Sequence, residues 1–144
     1  MAGMERSFRR EIASLESVFQ FLDLCYAAFA ADPAGTAAIT LAVEELFTNM
    51  VRHSSGARND ITITVTARGD SLQVAIMETG VEPFDITHAP EVDTSLPLDQ
   101  RPIGGLGIHL VHQLVENLNY SYVDRRSTIT FSKTLEMRHA NGDR

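Results

Sequence analysis

The hydrophobic period of this chain changes abruptly near its middle, and that change limits the folds open to it. Through "TAAITLAVEELFTNMVRHS" the apolar residues Ile39, Val43, Leu46, Phe47 and Met50 recur at helical spacing. After the loop "SSGARND", the stretch "DITITVTARGDSLQVAIME" alternates at every second residue. Its two β-branched runs meet at Gly69-Asp70, which predicts a hairpin. An earlier stripe of Leu15, Val18, Phe19, Leu22 and Tyr26 predicts a first helix, with Ser14 as its N-cap and "ADPAG" as its end. "RSFRREI" predicts a short leading strand, and "GGLGIHLVHQLVENL" a third helix through Ile108, Val111, Leu114 and Val115. "NYSYVD" and "STITFSKTL" predict a closing hairpin across Arg125-Arg126.

Helices grouped first and strands afterwards do not make the regular alternation of a doubly wound fold. The expected class is α+β, a two-layer sandwich with a mainly antiparallel mixed sheet and helices packed on one face. A length of 144 residues suits one domain over 1–144. Residues 79–103 carry four of the five prolines and little periodicity, which predicts a lid. The tail 136–144 is expected to fray.

Composition removes several function classes. A formal net charge of −7 argues against a general nucleic-acid binder, while a few backbone N–H groups can still bind a phosphate locally. No apolar run is long enough to span a bilayer, and "MAGMERSFRR" leads into no apolar signal segment. Cys25 stands alone, which excludes an intrachain disulfide and agrees with a reducing cytoplasm; its expected place is the core.

Three motifs carry candidate chemistry. In "VEELFTNMVRHS", Glu45, Asn49 and His53 lie one helical turn apart on one stripe. An Asn carbonyl oxygen suits Mg²⁺, and a carboxylate one turn away can take a proton from a hydroxyl. His53 reads equally as a cation near the helix's last carbonyls. In "METGVEPFD", Glu78 stands at a strand end two residues before Gly80. There a carboxylate can accept from an exocyclic amine and a glycine can admit a flat ring; a simple acidic turn is the alternative. In "GGLGIHLV", Gly104, Gly105 and Gly107 open a helix whose free N–H groups favour phosphate, though a glycine hinge would look the same. His109 and His112 sit three residues apart with no third metal ligand evident.

In this order the motifs resemble the GHKL ATPase superfamily and its Bergerat ATP-binding fold. "EELFTNMVRHS", "ETGVEPFD" and "GGLGIHLVHQLVENLNYSY" look most like the bacterial anti-sigma-factor serine kinases of the RsbW/SpoIIAB branch. The resemblance implies Glu45 as catalytic base and Asn49 as the Mg²⁺ ligand. It implies Glu78, where the family has Asp, as the adenine acceptor, with Gly80 against the ring. Gly104, Gly105 and Gly107 would admit the phosphates. Arg101 is the candidate lid contact to the terminal phosphate, since Ile103 occupies the nearest family position. Ser127 is the candidate hydroxyl beside the adenine acid, with Thr128 and Thr130 as rivals. The implied activity is phosphorylation, by Mg²⁺·ATP, of a serine or threonine on a STAS-domain anti-anti-sigma protein. Sequestration of a sigma factor, partner switching in the cytoplasm and homodimer formation follow from the same likeness. The competing expectation is a nucleotide-binding module of weak or no catalysis that only sequesters a protein. A detached histidine-kinase domain would need a phosphoacceptor His on a dimerisation helix, and none of the five histidines has that setting.

Overall fold

The computed structural model describes residues 2–53, 57–85, 87 and 105–135. Most of the expected lid, Arg101 and Gly104 within it or at its end, and the tail 136–144 lie outside the described residues.

Strand β1 (Ala2–Phe8) leads into a 3-10 turn at Ile12–Ser14, then helices α1 (Leu15–Ala28) and α2 (Pro33–His53). Strands β2 (Ile61–Arg68) and β3 (Ser71–Thr79) follow, then α3 (Gly105–Leu114), β4 (Glu116–Val123) and β5 (Arg126–Thr134). The strands lie side by side in the order β1-β2-β3-β5-β4, and each described pairing is antiparallel. The parallel admixture allowed for by a mixed sheet is therefore not among the described pairings. In other respects the expected α+β architecture is the observed one.

Alternation decides which residues face the helices. Ile61, Ile63 and Val65 of β2, Leu72, Val74 and Ile76 of β3, and Ile129 and Phe131 of β5 are buried against the helical layer. From the helices come Val18, Phe21, Leu22, Ile39, Val43, Leu46, Phe47 and Met50. Phe8 closes one end by meeting Phe21 and Phe47 edge-on, with centroids 5.7 and 6.5 Å apart. Burying a side chain of this size contributes about 1.5–3 kcal/mol, so the inward stripes dominate the stability of the sandwich.

Four local expectations shift. The leading strand spans Ala2–Phe8 rather than 6–12; past Phe8 the chain turns, with the Glu11 N–H donating to the Arg9 carbonyl at 2.9 Å. Ser14 makes no side-chain cap; its hydroxyl donates to the Arg9 carbonyl at 2.8 Å, and the 3-10 turn enters α1 directly. Helix α3 stops at Leu114, since Asn117 takes φ +57° and a register shift between Glu116 and Asn119 starts β4. The last hairpin turns at Asp124-Arg125, both at positive φ as a two-residue type I′ turn requires, one residue earlier than expected. The first hairpin turns at Gly69-Asp70 as the spacing predicts.

Candidate functional site

The same alternation that buries Leu72, Val74 and Ile76 carries Glu78 inward, where it is only 6% exposed. Register then sets its neighbours: Ile61 stands opposite on β2 and Ser127 opposite on β5. Ser127 is buried on the face of Ile129 and Phe131, whereas Thr128 and Thr130 alternate to the other face. Of the three candidate hydroxyls, Ser127 is the one the fold sets beside Glu78.

Beyond β3 the chain turns at Gly80 with φ +69°. A Cβ there would lie 2.8 Å from Nδ2 of Asn59. That amide donates to both the carbonyl and the hydroxyl of Thr79, at 3.2 and 3.1 Å. Backbone conformation and close approach both require glycine at this position.

A residue the sequence reading passed over completes this corner. Arg10 donates through Nη1 to Glu78 Oε1 at 2.7 Å and to the Met50 carbonyl at 3.3 Å, and through Nε to the Asn59 carbonyl at 3.2 Å. Both side chains of the ion pair are more than nine-tenths buried, at 6% and 7% exposure. Nη2 of Arg10 is buried without a hydrogen-bond partner among the described residues. No periodic signal marked it: Arg10 lies beyond the end of β1, and β2 separates β1 from the strand that carries Glu78.

Helix α2 builds the other end. Asn49, 3% exposed, donates from Nδ2 to Oε2 of the half-buried Glu45 at 3.0 Å, the contact that i,i+4 spacing permits. With its nitrogen given to Glu45, the amide oxygen of Asn49 is the atom suited to a hard cation. The Glu45 carboxylate lies against the first turn of α3. A Cβ on Gly107 would overlap its carboxyl carbon and both carboxylate oxygens. First-turn N–H groups of a helix have no intrahelical partner, so an acidic or phosphate oxygen is favoured there. The carboxylate and the amide oxygen are hard oxygen donors of the kind that suits Mg²⁺, and the N–H groups of the helix start suit a polyphosphate. Gly105 begins α3, and Gly104 and Arg101 lie outside the described residues.

The two ends share α2. Asn49 holds Glu45, which lies against α3, while the carbonyl of the next residue, Met50, receives Arg10 and so connects to Glu78. His53 does not extend the Glu45–Asn49 contact; its exposed ring stacks on Phe84 with centroids 5.0 Å apart and planes 12° apart. The segment after Gly80 is fixed to β4: Phe84 N–H donates to the Tyr120 hydroxyl at 3.1 Å, and the Tyr122 hydroxyl donates to the Val81 carbonyl at 2.7 Å. Nε2 of His112 lies 2.8 Å from the Thr87 carbonyl, so this histidine braces the same connection.

The sequence profile of the histidine kinase-like ATPase domain matches residues 8–133. The chain belongs to that family. Within the histidine kinase-like ATPase family it is similar to the serine-protein kinases RsbW of Bacillus cereus and of Bacillus thuringiensis subsp. konkukian. Each is 25% identical over 108 residues, a match that covers 72% of this chain and 66%, just under two thirds, of the relative. Among solved structures, the RsbU and RsbW domains of Rv1364c from Mycobacterium tuberculosis superpose with a TM-score of 0.67 at 17% identity. That likeness spans 94% of this chain and 33% of the other, and it establishes the fold. No helix among the described residues is long and apolar enough to cross a membrane.

Proposed function

We propose that the chain is an ATP-dependent protein serine/threonine kinase and anti-sigma regulator. Its acceptor would be a STAS-domain anti-anti-sigma protein, and the same surface would sequester a sigma factor in the cytoplasm. The observation that carries this reading is the Glu45 carboxylate, held by Asn49 at 3.0 Å and set against the first turn of α3 at Gly107. The similarity to serine-protein kinases named RsbW supports the same class of reaction.

Each residue has a distinct task in this reading. Glu45 accepts the proton of the attacking hydroxyl at a carboxylate oxygen, and Asn49 fixes which oxygen that is. The bare backbone at Gly107 and the N–H groups of α3 hold phosphate oxygens. The Asn49 amide oxygen would hold Mg²⁺, which would supply charge neutralisation at those oxygens. Glu78 accepts from the exocyclic amine of adenine, with Ser127 beside it and Gly80 leaving room for the ring.

Labelled Mg²⁺·ATP incubated with the chain and a purified STAS-domain protein tests the proposal. Label should pass to the partner with the wild-type chain and not with Glu45→Ala. A stable complex without transfer would favour the second reading, a sequestering module without kinase activity. That reading draws on position 78, where a glutamate stands in place of the family's aspartate.

A further inference from the structure

The Arg10–Glu78 pair has no necessary part in the core. A buried ion pair is replaceable by apolar groups of similar volume at little cost, and one donor of this pair, Nη2, has no partner among the described residues. The pair also stands at one particular place, the inward end of β3 between the α2 carbonyl of Met50 and the loop carbonyl of Asn59.

Glu has one more rotatable bond than Asp, so a carboxylate at position 78 can swing. Arg10 removes that freedom from the β2 side, because its fork is itself fixed at two backbone carbonyls and then at Oε1. Ser127 is the residue opposite Glu78 on β5 and is buried on the same face. An acceptor whose direction is fixed selects ligands that present an N–H along that direction; a swinging one takes any donor. We infer that Arg10 is a positioning residue for base selection: by orienting Glu78 it makes the site prefer a purine triphosphate with an amino group at C6 over one without it. This inference rests on the nucleotide reading proposed above.

Calorimetric titration of the full chain with ATP and with purine riboside triphosphate, which lacks only the 6-amino group, tests it. The wild-type chain should prefer ATP by about 10- to 100-fold, the range for one hydrogen bond to a charged group. Arg10→Met should bring that ratio close to one while leaving the Mg²⁺-dependent gain in affinity, which belongs to Asn49, in place. Because Arg10→Met removes a cation from beside the buried Glu78, Arg10→Lys provides a milder variant. Lysine keeps the charge but cannot hold both carbonyls and the carboxylate as a fork, so the ratio should fall at least severalfold. A loss of affinity shared equally by the two nucleotides, with the wild-type ratio preserved in either folded variant, would overturn the inference. So would a wild-type chain that binds both nucleotides equally, and in that case nucleotide binding itself would stand. A wild-type chain that binds neither would overturn both readings.

Discussion

The two ends of the candidate site are built by different means. At the base end, strand register places Glu78 opposite Ser127, and Arg10 and Asn59 tie the corner to backbone atoms of α2, β3 and the loop before β2. At the phosphate end, two helices meet, and Glu45 is placed by one hydrogen bond from Asn49 and by its close approach to Gly107. A ladder fixes direction through many shared backbone bonds, whereas a helix face fixes only which side chains can meet. In the proposed function, recognition would rest on the sheet and the reacting groups on a helix–helix contact.

Four substitutions break or sharpen that contrast. The largest effect is expected for Glu45→Ala, which should lower phosphoryl transfer by about 10²- to 10⁴-fold while nucleotide still binds, as loss of a positioned base does. Comparable loss of binding would show that the carboxylate is part of the cradle. Asn49→Ala should cost about 10- to 100-fold in Mg²⁺-dependent affinity, the scale of a lost ligand or its orienting partner. Titrating nucleotide with and without magnesium checks this, and a retained magnesium response would remove Asn49 from the metal site. Gly80→Ala should destabilise the fold by about 1–2 kcal/mol, because φ is +69° and the added methyl meets the Asn59 amide. Urea denaturation measures it, and an unchanged midpoint would contradict the rigid corner. Phe84→Ala is the smallest, about 0.5 kcal/mol or less, since its stack with His53 lies at an exposed rim. A larger loss would move that rim into the structural core.

The contrast also explains what could be read from the sequence. Alternation through Leu72, Val74, Ile76 and Glu78 has one inward solution, and the period of α2 has one stripe joining Glu45 to Asn49. Those placements were therefore legible. Ser127 shares a parity with Ile129 and Phe131, which separates it from Thr128 and Thr130 once the alternation is followed back to the turn. Arg10 was not recognised because it lies beyond the end of β1, and its partner is 68 residues away on a strand it does not pair with. A long-range ion pair leaves no periodic trace. The stacking of His53 on Phe84 was missed for the same reason: helix spacing aligned His53 with Asn49, but the last turn of α2 turns it toward the segment after β3. The Asp124-Arg125 turn was displaced by one residue because neither is glycine, so its two positive φ angles have only weak local markers.

Both ends are proposed to serve one nucleotide. Amide NMR of the labelled chain, titrated with a non-hydrolysable ATP analogue and magnesium, tests this most directly. Resonances of Gly80 and Ser127 at one end, and of Asn49 and Gly107 at the other, should shift together with one shared Kd. Shifts confined to one end, or two ends saturating at different concentrations, would contradict the account.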